Sequence, residues 1–321
     1  RTMRLLHLEY DKYPLKAIKQ LESVTEVEKY DVTSQDDLYN KLTGTMYDAV
    51  IVRLGVNYDR ICIDLQPRLK YIITATTGLN HIDVPYAETK GISVISLKDE
   101  HQFLSGIKST AEHTWALLLA LSRKLPAAIN SVNKGFWERI PFMADELNGK
   151  KLGIIGFGRL GKIVAEYANA FGMEVLSFDK NPSVFKDYNF VKISSLEELL
   201  RKSDYVSLHI DWSADNNRFL DEREFTLMKD GAYFINTSRG ECINEDALLK
   251  YLTNGKIKGA GLDVLDGDST WSMNSPEHHK LIDYARNNNN LIITPHSGGY
   301  GKDSIHKTRL FVTEKFLNNL L

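Results

Sequence analysis

The 321-residue sequence predicts an α/β protein made of two units of parallel sheet, with a ligand cleft between them. Three observations lead there. Apolar strand-like runs alternate with helical periodicity along nearly the whole chain. A glycine-rich turn, Gly156–Gly161, falls near the middle, between an apolar strand and an amphipathic helix. A separate stretch of strand–helix alternation precedes it and has no such turn. Residues 1–106 and 297–321 are therefore expected to form one domain, and residues 107–296 the other.

Before the turn, strands are expected near Met3–Leu8, Ala49–Val52, Tyr71–Ile73 and Ser93–Ser96. Helices fit between them near Pro14–Leu21, Gln35–Leu42 and Pro85–Thr89. One long apolar helix, about Lys108 to Leu125, leads into the second domain. Beyond the turn, strands are expected near Tyr205–His209, Tyr233–Asn236, Gly259–Leu262 and Leu291–Ile293. Helices Leu196–Lys202, Asp221–Met228 and Glu245–Thr253 separate them. The amphipathic helix from about Asp303 to Leu320 comes too late for that alternation, so it is expected to return to the first domain. No linker-like tract lies between the domains, so the long helices are expected to carry the chain across.

The turn itself reads Lys151-Leu-Gly-Ile-Ile-Gly-Phe-Gly-Arg-Leu-Gly-Lys162. Gly156, Gly158 and Gly161 have the spacing G-x-G-x-x-G. The first permits a tight turn, the second lets the backbone approach a pyrophosphate, and the third packs helix against strand. The helix N-terminus adds free N–H groups and partial positive charge. Leu152, Ile154 and Ile155 supply a buried strand before it. Ile163, Val164, Tyr167 and Ala168 continue at helical spacing, and Gly172 can end the helix. A second strand, Glu174–Phe178, finishes at Asp179. An acid there can accept hydrogen bonds from an adenosine ribose and would repel a 2′-phosphate, so NAD is favoured over NADP, with Lys180 weakening the preference slightly.

Composition narrows the remaining classes. Hydrophobic residues make up 43% and charged residues 26%, as in an ordinary globular protein. A net charge of −2 gives no global attraction to nucleic acid or to an anionic membrane. Cys62 and Cys242 are the two cysteines, which suits a reducing, cytoplasmic setting rather than a disulfide framework. The longest apolar run, Trp115–Leu121, is too short to span a bilayer. No metal is expected. Neither a leader before the first strand nor an appended regulatory domain after the last helix is expected.

Three segments at expected strand ends carry chemistry. Ile235-Asn-Thr-Ser-Arg-Gly240 presents Arg239, whose planar donor fork suits a carboxylate or a polarised carbonyl. Gly261-Leu-Asp-Val-Leu-Asp-Gly-Asp268 places Asp263, Asp266 and Asp268 after a buried strand. Ile293-Thr-Pro-His-Ser-Gly-Gly299 presents His296, a proton donor or acceptor near neutral pH. Each alone fits an ordinary surface turn. Together they supply what hydride chemistry on a 2-oxo acid needs: a cation for the carboxylate and ketone, an acid for the oxygen, and a carboxylate that keeps the imidazolium available.

On these motifs the chain resembles the D-isomer-specific 2-hydroxyacid dehydrogenases, the family of D-lactate, D-3-phosphoglycerate and hydroxypyruvate enzymes. The resemblance covers nearly the whole chain. Thr77-Gly-Leu-Asn-His-Ile-Asp83 matches the family's substrate loop, and Ala111-Glu-His113 with its Leu-rich run matches the interdomain helix, commonly the dimer contact. Glu146-Leu-Asn-Gly-Lys150 leads into the cofactor turn, and the arginine and histidine motifs follow in family order. The resemblance implies a flavodoxin-like substrate domain, an NAD-binding Rossmann domain, NAD as cofactor and a homodimer. It implies Arg239 as the residue that binds and polarises substrate, and His296 with Asp268 as the acid/base pair. Thr77, Gly78 and Leu79 would receive the substrate carboxylate, with Arg53 nearby. Gly156, Gly158, Arg159, Leu160 and Gly161 would hold the pyrophosphate. Asp179, His209, Thr237, Ser238 and Asp263 would complete the cofactor site, Asp263 near the nicotinamide carboxamide.

The sequence departs from the family pattern in three places. Asp268 stands where a glutamate is usual, one methylene shorter. The segment Leu97–Ser109 is longer and more charged than the usual linker, and either narrows substrate choice or is a plain surface loop. Ile210-Asp211-Trp212 replaces the usual proline after His209. Two other functions compete with the dehydrogenase reading: a dinucleotide-binding regulatory or scaffolding protein with little turnover, and oxidation of a donor such as formate or phosphite. The formate branch pairs its histidine with a glutamine, and none stands near Asp268.

Overall fold

The computed structural model describes residues 2–271 and 274–320. The chain divides into two units: residues 1–107, 267–276 and 300–321 form the first, and residues 108–266 and 277–299 the second. The first unit holds strands β1 (Met3–His7), β2 (Thr25–Lys29), β3 (Ala49–Ile51), β4 (Tyr71–Ile73) and β5 (Ser93–Ile95). They pair in the order β2-β1-β3-β4-β5, every pair parallel. This is the flavodoxin-like order, with its switch point between β1 and β3. Helices α1 (Leu15–Val24), α2 (Gln35–Gly44), α3 (Arg60–Asp64), α4 (Val84–Thr89) and α5 (His101–Leu104) connect the strands and continue the chain beyond β5. One face of the sheet packs on Leu38, Leu42, Tyr58 and Ile63, the other on Ala17, Ile18, Leu21, Val312 and Phe316. A parallel sheet covered on both sides explains why β3 reads as a continuous apolar run.

The second unit holds α6 (Ser109–Ser122), α7 (Leu125–Asn133), β6 (Lys151–Ile155), α8 (Arg159–Ala170), β7 (Glu174–Phe178), β8 (Val191–Ile193), α9 (Leu196–Lys202) and β9 (Tyr205–Leu208). Next come α10 (Glu222–Leu227), β10 (Ala232–Asn236), α11 (Glu245–Thr253), β11 (Ile257–Leu262), α12 (Lys280–Asn287) and β12 (Leu291–Ile293). The sheet order is β12-β11-β10-β9-β6-β7-β8, again parallel throughout. Strand order reverses between β6 and β9, where a doubly wound sheet binds its ligand. The final helix, α13 (Lys302–Asn318), packs against α1 in the first unit. There the buried Arg309 guanidinium pairs with Glu9 just past β1.

Several elements differ from expectation. The single helix 108–125 is two helices: α6 ends at Ser122, and Lys124 turns left-handed at φ 52° before α7. Pro126 is the cause, since it has no N–H to donate into the preceding turn and its ring opposes the carbonyl four residues back. Strands β2 and β8 were not expected, because each is a charged edge strand with little burial. Helix α12, also unexpected, buries Leu281 as its one fully covered side chain.

Candidate active site

The glycine turn lies at the switch point of the second sheet. Gly156 follows β6 at φ 90°, and a Cβ there would meet the His209 carbonyl oxygen at 2.3 Å. That carbonyl belongs to the residue after β9, whose N–H donates to the Ile155 carbonyl at 2.7 Å. A Cβ on Gly161 would meet the Gly156 carbonyl oxygen at 2.2 Å, so the third glycine lets α8 close onto the turn. Gly158 differs: a Cβ there would meet nothing within 4 Å. It is the N-cap of α8 and gives no side-chain cap, so the helix start offers its N–H groups to a ligand. Open space above Gly158 and an uncapped helix fit a pyrophosphate.

Arg159 and Leu160 open α8. Burial holds the Arg159 guanidinium below its ordinary value, with Asp211 acting the other way. Leu160 packs against the core under the turn. Asp179 follows β7 directly, and its two carboxylate oxygens accept the Phe157 and Asn181 N–H groups, each at 2.8 Å. It therefore braces the glycine turn from the place where an adenosine ribose is expected. His209 shares a hydrogen bond of 2.8 Å between its Nε2 and Ser207 Oγ. Burial lowers its pKa to about 4, and its Nδ1 is buried without a partner among the described residues. A neutral imidazole with an unsatisfied nitrogen at the switch point fits a polar cofactor group.

Three neighbouring strands, β10, β11 and β12, end beside one another and carry the remaining segments. Asn236 closes β10 fully buried. Its Oδ1 accepts the Ser238 N–H and hydroxyl at 3.0 and 2.9 Å, and its Nδ2 donates to the Arg239 carbonyl at 3.0 Å. The loop is thereby fixed with Arg239 half-buried, its Nη1 donating to the Ser238 carbonyl. Thr237 is committed elsewhere, its hydroxyl sharing a 2.7 Å bond with Thr114 of α6. Gly240 sits so close to the next loop that a Cβ would lie 2.0 Å from the Leu265 carbonyl carbon.

Asp263, just past β11 and buried, organises the histidine segment. Its oxygens accept the Thr294 hydroxyl at 2.6 Å and the Ser297 and Gly298 N–H groups at 2.9 and 2.8 Å. His113 Nε2 of α6 lies 3.2 Å away. Burial would raise the Asp263 pKa, but His113, Thr294, Gly298 and Ser297 together hold it below the ordinary value. His296 is left-handed, φ 52°, and its N–H donates to the Asp263 and Thr294 carbonyls.

In the first unit, Arg53 follows β3 with its Nε donating to the Leu54 carbonyl at 3.2 Å. Thr77, Gly78 and Leu79 follow β4. Their loop is shaped by Thr76 Oγ1, which donates to the Gly78 carbonyl at 2.7 Å and contacts Thr74 Oγ1 at 2.9 Å. Asp268 opens a short turn after Gly267, itself at φ 82°, and groups with this first unit. Sequence reading gave no role to Asn236, His113 or Thr294. The available signal for Asn236 was an amide ending a buried apolar strand and followed by two hydroxyl residues.

The fold and the glycine turn define a dinucleotide-binding α/β protein. Residues 115–298 match the family model described as D-isomer specific 2-hydroxyacid dehydrogenase, NAD binding domain. The D-3-phosphoglycerate dehydrogenase of Methanocaldococcus jannaschii is 33% identical over 301 residues, 93% of this chain and 54% of that protein. The hydroxypyruvate reductase of Thermotoga maritima is 31% identical over 297 residues, 91% of this chain and 92% of that protein. The structure of D-lactate dehydrogenase from Aquifex aeolicus, complexed with NAD and lactic acid, matches with a TM-score of 0.77 at 31% identity. The match covers 98% of this chain and 95% of that one. The chain spans about half the length of the D-3-phosphoglycerate dehydrogenases it matches. It belongs to the D-isomer-specific 2-hydroxyacid dehydrogenase family, and its second unit is the family's NAD-binding domain.

Proposed function

We propose that this chain is an NAD-dependent oxidoreductase acting between D-2-hydroxy acids and 2-oxo acids. The observation that carries the reading is the common carboxyl edge of β10, β11 and β12. Arg239, Asp263 and His296 follow those three strands, in the sheet that also bears the glycine turn. The nicotinamide supplies the redox chemistry when bound. Gly156, Gly158, Arg159, Leu160 and Gly161 hold its pyrophosphate, and Asp179 takes the adenosine ribose. His209, Thr237, Ser238 and Asp263 line the rest.

Arg239 binds the substrate carboxylate and polarises the C2 carbonyl. His296 donates a proton to that oxygen in reduction and takes it back in oxidation. Asp268 is its partner carboxylate. Backbone N–H groups of Thr77, Gly78 and Leu79 receive the substrate carboxylate, with Arg53 beside them. The working unit is a homodimer. This is supported by α7, whose Leu125, Ile129 and Val132 form an apolar stripe 44–58% exposed, with no buried residue on the helix. Two buried free thiols, Cys62 and Cys242, favour the cytoplasm.

The test is NADH oxidation against pyruvate, glyoxylate, hydroxypyruvate, 3-phosphohydroxypyruvate and bulkier 2-oxo acids. Turnover of at least one is expected, with His296→Gln lowering kcat by about 10²–10⁴-fold. Tight NADH binding without turnover of any of them would instead support a regulatory or scaffolding protein.

A further inference from the structure

The chain leaves the second unit after Asp266 and returns at Glu277. The intervening residues group with the first unit and carry Asp268. Both flanks of that excursion meet one side chain. Glu245, the first residue of α11, is buried, with 5% of its side chain exposed. Its Oε1 accepts the Asp266 N–H at 2.8 Å, and its Oε2 lies 3.3 Å from His279 Nε2.

Glu245 is not needed where it stands for the helix. Asn244 already caps α11, its Oδ1 accepting the Asp246 and Ala247 N–H groups, while its Nδ2 donates to Asp221. Burying a carboxylate without a strong cation is costly. Burial is the main reason the Glu245 carboxyl is pushed up to about 7; the hydrogen bond from the Asp266 N–H and the charge of Lys280 oppose the rise, and the charges of Asp266 and Asp246 add to it. His279 is lowered, chiefly by burial, with Lys280 acting the same way and Asp283 and Asp266 the other. The same stretch of chain, Leu265–Asp266, abuts Gly240 of the arginine loop so closely that no side chain fits there.

We infer that Glu245 is a positioning residue: it pins both flanks of the segment bearing Asp268 and thereby sets the reach of that carboxylate. The inference rests on the reading of Asp268 as the partner of His296. It also accounts for how an aspartate could serve in a place where the family uses a longer acid, since a shorter side chain depends more on where its backbone is held.

The test uses the full chain in four forms: wild type, Glu245→Ala, Glu245→Gln and Asp268→Asn. Three readouts are taken: amide hydrogen exchange over Asp266–Trp271, the pH profile of kcat/KM, and NADH affinity by fluorescence. Glu245→Ala is expected to speed exchange there at least tenfold and to move the basic limb of the profile toward acid, as Asp268→Asn does. NADH affinity should stay within twofold. Glu245→Gln should restore both, because its amide oxygen still accepts the Asp266 N–H. His279→Leu, which releases only the returning flank, should give a smaller change and serves if the alanine variant does not fold. Unchanged exchange in Glu245→Ala overturns the pin, whatever the kinetics. Faster exchange with an unmoved limb, while Asp268→Asn moves it, overturns the positioning role. An unmoved limb in Asp268→Asn overturns the assignment of Asp268 itself, and with it the catalytic half of the inference.

Discussion

Asp263 shows how much one buried carboxylate can organise. It accepts from Thr294, Ser297 and Gly298 and faces His113, so the turn around His296 is built on it. The left-handed backbone of His296 is uncommon for a residue with a side chain, and these bonds are what hold it there. The sequence marks Asp263 by its place after an apolar strand. It does not mark the bonds, because Thr294 is 31 residues away and His113 lies on α6. Asp263→Asn would turn an amide N–H₂ toward donors and leave at least one unpaired. The expected cost is about 3 kcal/mol, read from the urea midpoint at pH 7. The sign with pH follows from the lowered value. A carboxyl whose folded pKa lies below its unfolded one contributes fully above the unfolded value, about 4, and loses that contribution as pH falls through the folded one. The gap between wild type and variant should therefore stay constant from neutral pH down to about 5 and shrink in more acid solution. A gap that widens toward acid would show that the carboxylate is not the stabilising form.

Elements were legible where periodicity and local chemistry agreed. Strand β6, the glycine turn, α8 and β7 follow directly from an apolar run, three spaced glycines and an amphipathic stripe. Strands β2 and β8 were not, since sheet edges tolerate charge and lose the apolar signature. The break between α6 and α7 was written in Pro126 but masked by the leucines before it. The glycines of the turn have separable duties, and two alanine variants divide them. Gly161→Ala puts a methyl against the Gly156 carbonyl at 2.2 Å and must push α8 away, at a cost of about 1–3 kcal/mol. It should lower both melting temperature and NADH affinity. Gly158→Ala meets no protein atom within 4 Å, so its melting temperature should match wild type. Its methyl would occupy the space assigned to the pyrophosphate, and NADH binding should weaken at least tenfold. Normal NADH binding by Gly158→Ala would remove the pyrophosphate from that turn.

At the scale of the whole molecule, short motifs and chain packing leave different traces in a sequence. The arginine and histidine motifs are local, so each could be read in place. The grouping of residues 267–276 with the first unit depends on packing and left no periodic trace. The apolar surface of residues 125–143 is another property that only the folded chain displays. The sequence predicts one long apolar helix that stops near Leu125 and predicts no element for residues 126–143. In the structure Leu125, Ile129 and Val132 recur at helical spacing on α7, and Trp137, Ile140 and Met143 beyond it are 74–83% exposed. Single exposed apolar residues are ordinary, but so many large ones along one stretch of a globular protein make that stretch a candidate interface. A second copy of the chain is the occupant proposed, through a twofold contact in which the same stripe meets itself. A stable dimer of this sort buries roughly 800 Å² on each partner, much of it supplied by aromatic and large aliphatic side chains. Placing charges at the most exposed positions, Trp137→Glu with Ile140→Glu, would desolvate two like-charged pairs across the twofold. Sedimentation at micromolar concentration should therefore find a dimer for the wild type and a monomer for the double variant, with the circular dichroism of the two unchanged. A wild type that sediments as a monomer would sink the dimer, and a dimer that survives both glutamates would move its interface to another surface.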